Sequence, residues 1–246
     1  VIVPNFRDAL RRGANILAIH GLNVGTTSSD FLISVELVAE EAVEPAVPAD
    51  VIEYAAPIAL TESTRVTARA LIGGQWSAAN EAVFAVGPVA ESLRISEIMF
   101  HPPDDPNAEY VELVNVGAEP VNLRLVEFTD GIRFVFPGYE LPPTGACLVV
   151  RDREAFEAKY GLNLPVAGEY TGALNNGGDR IELRDAAGQV IHTFAYDDEW
   201  YTLADGLGFS LAVADPSAAD PNTLNDPATW RLSDVPDGTP GTRDLP

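Results

Sequence analysis

One cysteine and one methionine stand in a chain of 246 residues, and Lys159 is the sole lysine. The lone cysteine, Cys147, excludes an internal disulfide, and without a second thiol the chain says nothing of its redox compartment. The three histidines, His20, His101 and His192, lie far apart, so a site of nitrogen and sulfur metal ligands is not expected. Basic residues are scarce: 15 Lys and Arg face 37 Asp and Glu, a net charge of −22. That charge repels phosphate backbones and anionic membrane faces, so no nucleic-acid partner is expected. No apolar run approaches the roughly 18–20 residues of a membrane span, so no membrane insertion is expected either. No Gly-x-Ser-x-Gly nucleophile motif occurs. The only methionine is Met99, so Val1 is not expected to be a natural start. The chain is expected to be a fragment or a processed product, with any signal peptide upstream.

What is present suits an all-β protein. Hydrophobic residues make up 46%, and 20 glycines and 19 prolines punctuate short apolar runs. Residues 6–12 (FRDALRR) read as one or two helical turns before Gly13, and 15–23 (NILAIHGLN) and 31–38 (FLISVELV) as strands. Residues 39–50 (AEEAVEPAVPAD) read as a linker. Short strands are expected at 54–60, 64–71, 75–77 and 82–86. From residue 93 onward the strands follow at 93–99, 109–115, 121–129, 132–136, 146–151, 180–185, 190–196 and 208–213, with one helix at 153–160 ended by Gly161. Ile132, Phe134 and Phe136 share one strand face; Ile181 and Leu183 oppose Arg180, Glu182 and Arg184. This alternation is the mark of a two-sheet sandwich.

Five ordered motifs carry a family resemblance. They are Glu109-Tyr110-Val111-Glu112-Leu113 with Asn115 after it, Pro120-Val121-Asn122-Leu123, the run 141–150 (LPPTGACLVV), the run 176–191 (NGGDRIELRDAAGQVI), and 205–211 (DGLGFSL) with a terminal 238–241 (GTPG). Together they resemble the lamin-tail domain, an immunoglobulin-like β-sandwich found at the end of nuclear lamins and in many secreted bacterial proteins. Cys147 stands where that family often has an aromatic. Residues 1–38 resemble the terminal strands of a galactose-binding-like jelly roll. Residues 51–88 resemble half of a chitobiase C-terminal, fibronectin-associated sandwich. The resemblance implies an immunoglobulin-like sandwich of lamin-tail type over 93–246, preceded by a smaller, partly incomplete β region that 1–88 together complete.

Candidate site residues are few in kind. Two acidic loops could offer oxygen ligands to calcium: Asp104, Asp105, Asn107 and Glu109; and Asp215, Asp220, Asn222, Asn225 and Asp226. Neither follows the EF-hand spacing. Trp200, Tyr201 and Trp230 are the candidate ligand-binding aromatics, although Trp200 and Trp76 also fit packing slots. Paired carboxylates such as Asp104/Asp105 fall in expected turns, where aspartate has its own backbone role. Cys147 lies in an apolar strand and reads as an inert small hydrophobe. No catalytic residue is assigned and no cofactor is implied, with calcium the candidate ion. The chain is thus read as a non-enzymatic structural, adhesion or interaction module of a secreted or cell-surface bacterial multidomain protein, contacting protein or polysaccharide. A carbohydrate-binding accessory domain is the first alternative and a calcium-stabilised extracellular module the second.

Overall fold

The computed structural model describes residues 51–217 and 220–242, all within one compact unit that spans Pro48–Pro246. The helical turns at 6–12, the strands at 15–23 and 31–38, His20 and the linker at 39–50 lie outside the described residues.

The described part opens with an arm. Strand β1 (Thr64–Ala68) is followed by β2 (Leu71–Ile72), β3 (Gln75–Trp76) and β4 (Asn80–Phe84). Strands β1 and β4 pair antiparallel from Thr64↔Phe84 to Ala68↔Asn80. The β2–β3 hairpin closes through Gly73 and Gly74, both at positive φ, where a side chain would be strained. Paired residues share a face, so Val66, Ala68, Ala82 and Phe84 lie on one side, with Thr64 and Asn80 beside them. Arg65 and Glu81 join on the other side at 2.8 Å. The strand expected at 54–60 does not form, and the run at 64–71 breaks after Ala68.

A four-residue helix α1 (Val89–Ser92) leads into the sandwich and buries Val89. The strands that follow are β5 (Leu93–Met99), β6 (Tyr110–Asn115), β7 (Val121–Asn122), β8 (Glu127–Asp130), β9 (Ile132–Val135), β10 (Glu140–Leu141) and β11 (Ala146–Val150). After helix α2 (Arg153–Tyr160) come β12 (Val166–Glu169), β13 (Thr171–Gly172), β14 (Asp179–Arg184), β15 (Val190–Tyr196), β16 (Leu211–Val213) and β17 (Trp230–Leu232). One sheet of six strands runs β12-β11-β6-β5-β16-β17; the facing sheet of five runs β13-β9-β8-β14-β15. Between them lies the main core. Ile95, Ile98, Val111, Leu113, Cys147 and Val149 come from the larger sheet, and Phe128, Ile132, Ile181, Leu183 and Phe194 from the smaller. Each such buried side chain contributes about 1.5–3 kcal/mol. The protein is therefore a mostly β, immunoglobulin-like sandwich, as its alternation implies.

Helix α2 has the expected bounds. The Asp152 carboxylate accepts the Ala155 N–H at 2.9 Å and Gly161, at φ +91°, ends it. It also supplies the crossover that the parallel β11–β12 pair requires. Phe156 on this helix joins Met99, Tyr110, Leu148 and Val150 in a second small core on the outer face of the larger sheet. The expected strand at 121–129 is split, because Leu125 turns to φ +63° and the Val126 N–H closes on Leu123 O at 2.9 Å.

Candidate functional site

Strand β5 carries the most unusual chemistry. A bulge at Ser96 shifts its register against β6 between Ile95 and Glu97. Ser96 and Glu97 consequently lie on the same outer face, and Glu97 stands opposite Glu112. Two like charges facing each other across a sheet are destabilising unless donors answer them. Here they do. Glu97 accepts the Tyr110 hydroxyl at 2.6 Å, the Ser210 hydroxyl, and the Thr239 N–H at 2.9 Å and hydroxyl at 3.0 Å. Glu112 accepts the Ser96 hydroxyl and the Gly241 N–H, both at 2.7 Å. Both glutamates are buried beneath the strap 238–241, which they fasten to the sheet. Burial first, and then the charge of Glu97, raises the Tyr110 phenol well above its ordinary value. Tyr110 therefore stays a donor.

Glu109 closes the loop between β5 and β6 from inside. Its carboxylate accepts the Tyr170 hydroxyl and the Leu174 N–H at 2.9 Å each, and meets Arg151 at 2.8 Å. Burial raises its pKa, and those three partners oppose the rise. Asn115, at the end of the same motif, is fully buried. It donates to Glu119 O at 2.8 Å and Leu141 O at 3.1 Å and accepts the Gly117 N–H at 2.8 Å. Sequence reasoning placed Glu109 among metal ligands and did not single out Glu97. The Glu in LRISEIM, between apolar neighbours, was the available signal.

The structure does not bring the first acidic group together. Asp104 is 89% exposed with Lys159 3.5 Å away, whereas Asp105 turns back to accept the Asn107 N–H at 2.9 Å and Glu109 points inward. In the second group, Asp215, Asp220 and Asp226 each accept a backbone N–H two residues on, at 2.9 Å. Asn222 donates to Asp220 at 2.8 Å, while Asn225 Oδ1 accepts the Ala195 N–H at the open edge of β15. Among the described residues no three His, Cys, Asp or Glu side chains cluster as a metal site.

The aromatics also divide. Trp230 is 2% exposed, packs on Phe194 at 5.4 Å and donates its indole N–H to Leu224 O at 2.9 Å. It is a core residue and offers no face to a ligand, contrary to its place among the ligand-binding candidates. Trp200 and Tyr201 are half-buried against the core, and the Tyr201 hydroxyl donates to Trp230 O at 2.6 Å. Cys147 is buried, and burial raises its thiol pKa, which suppresses the thiolate a nucleophile needs. His192 donates from Nε2 to Leu93 O at 3.1 Å, and burial lowers its pKa to about 4. His101 meets Asp205 at 2.7 Å in a partly exposed pair. An open groove of about 570 Å³ beside α2 gathers Asp152, Glu154, Glu157 and Glu169. Asp152 and Glu169 there accept backbone N–H groups at the start of α2, and Glu157 faces Arg153 at 3.4 Å.

These buried carboxylates are turned into the fold and answered by its own donors. Residues 88–198 match the Lamin Tail Domain. The matched span runs from the start of α1 to just past β15, less than half of the chain, and leaves β16, β17 and the strap beyond it. No curated protein and no solved structure matches the chain. The lamin-tail family is a non-enzymatic, immunoglobulin-like module of protein-interaction type. Among the described residues no helix is long and apolar enough to cross a membrane.

Proposed function

We propose that the chain is a non-catalytic interaction module of a secreted or cell-surface bacterial multidomain protein, holding neighbouring modules in place or adhering to a protein or polysaccharide. The observation that carries this reading is the fate of the buried acids. Glu97, Glu109 and Glu112 all accept hydrogen bonds from the fold itself, so none is free to act as an acid or base on a substrate. The lamin-tail match of 88–198 supports the same reading. Secretion and a bacterial source rest on the family resemblance alone. A calcium ion in either acidic loop would make the melting midpoint fall with chelator. With the loop aspartates on backbone N–H groups, an unchanged midpoint is expected.

The test is binding followed by recovery of the ligand. Arrays of surface polysaccharides and of extracellular protein segments are probed with the chain, and each retained ligand is weighed by mass spectrometry. Saturable binding with unchanged ligand mass is expected. A ligand recovered cleaved or modified overturns the non-catalytic reading.

A further inference from the structure

Three loops meet at one end of the sandwich: the one after β5, the one before β16 and the one after β17. Several bonds hold them in a fixed arrangement. His101 meets Asp205 at 2.7 Å, and Gly206 lies against the His101 ring, where an added Cβ would come within 3.0 Å. Lys159 reaches Asp104 at 3.5 Å and Asp237 at 2.8 Å, joining two of the loops through α2. The Asp237 N–H donates to Gly208 O at 2.6 Å. Gly208, at φ +101°, is flanked by Pro103 and Pro236, each 3.9 Å from where its Cβ would stand.

Ordered as they are, these loops leave their apolar side chains in water. Leu207 is 59% exposed and Val235 is 48% exposed, and Pro103 and Pro236 beside them are exposed too. An apolar patch on a rigid support loses little entropy when it binds. Its rim is acidic. Asp104, Asp205, Asp234 and Asp237 all reach solvent, with side-chain exposures from 40% to 89%. The cations that pair with Asp104, Asp237 and Asp234 are drawn in: Lys159 is 13% exposed and Arg231 25%. An apolar centre within a rim whose exposed groups are carboxylates, with their partner cations more withdrawn, is the anatomy of an interface, and the exposed sign selects the partner.

We propose that this loop end docks a cationic protein segment in which an apolar side chain is flanked by arginine or lysine. The apolar residue covers Leu207 and Val235, and the basic residues face Asp104, Asp205 and Asp234. The proposal rests on the reading of the chain as an interaction module and names its surface and partner class.

The test uses the full chain and a fluorescein-labelled ten-residue peptide of alternating leucine and arginine, read by fluorescence anisotropy at about 0.15 M salt. The comparison peptides alternate serine with arginine, and leucine with glutamate. The leucine–arginine peptide is expected to bind saturably and the other two to bind at least ten-fold more weakly. The double variant Leu207→Ser/Val235→Ser is expected to lose about ten-fold in affinity. Asp104→Asn/Asp234→Asn is expected to weaken binding and flatten its dependence on salt. Leu207 and Val235 are exposed, so the melting midpoint of their double variant stays unchanged, and Asp104→Asn/Asp234→Asn, which gives up two surface ion pairs, shifts it only slightly; both report that the variants fold. The proposal is overturned if the leucine–arginine peptide does not bind, if the serine–arginine peptide binds as well, or if the Leu207→Ser/Val235→Ser chain binds like the parent. Array ligands retained equally by parent and double variant refute this surface and leave the module reading standing. Turnover of a ligand refutes the module reading itself.

Discussion

Gly238 stands where only a hydrogen fits. Its φ is +78°, and a Cβ there would overlap the Tyr110 hydroxyl and come within 2.6 Å of Glu97 Oε1. Gly238→Ala should therefore lift the strap from Glu97 and lower stability by about 2–4 kcal/mol, read as a shifted urea midpoint. The terminal Gly-Thr-Pro-Gly was legible in the sequence as a family signature. Its physical role was not, because its partner Glu97 lies 142 residues earlier and only the fold joins them. His192 makes a second prediction. Its folded pKa of about 4 lies below the ordinary 6.5 because the ring is buried, and Nδ1 has no hydrogen-bond partner among the described residues. As pH falls from 6.5 toward 4 the unfolded chain takes up the proton first, so stability is lost on acidification and is fully present above pH 6.5. The loss from this group is about 3 kcal/mol. Urea titrations at pH 7 and pH 4 should show the parent losing about that much more than His192→Asn. Equal losses would remove His192 from the acid response.

At the scale of elements, propensity and caps decide what could be read in advance. Helix α2 was legible to the residue, since Asp152 and Gly161 bracket a run of good helix formers. Asp152→Ala should cost about 1 kcal/mol and leave the fold intact, measured by urea denaturation. A cost near zero would show that Glu169, which also accepts from the first turn at 2.8 Å, suffices. Strands β12, β13 and β17 were not legible. Val166–Glu169 and Thr171–Gly172 contain small residues with no alternation, and Trp230–Leu232 sits in a Pro- and Asp-rich tail. Each forms because a neighbouring strand offers an edge. The same logic moved Trp230 from candidate ligand platform to core, since pairing with Val213 places its ring beside Phe194.

Over the whole molecule, the acidity of the chain sorts into two populations. Glu97, Glu109 and Glu112 are buried and hold loops and strap to the sheets, while most other carboxylates among the described residues stand in solvent or accept from turns. Composition could announce the charge of −22 but not this division, which for Glu97 depends on the bulge at Ser96. The apolar patch at the loop end was equally hidden. Leu207 and Val235 are ordinary residues in turn-rich stretches, and only the convergence of loops at Gly208, Pro103 and Pro236 brings both exposed side chains to one end of the sandwich. The measurement that tests the account most directly is hydrogen exchange of the full chain, with and without the leucine–arginine peptide, together with the mass of the peptide recovered. Slowed exchange confined to residues 101–105, 203–209 and 233–238, strands unchanged and the peptide intact, is the predicted result. Protection centred on the arm or on the groove beside α2, or a peptide recovered in pieces, would contradict it.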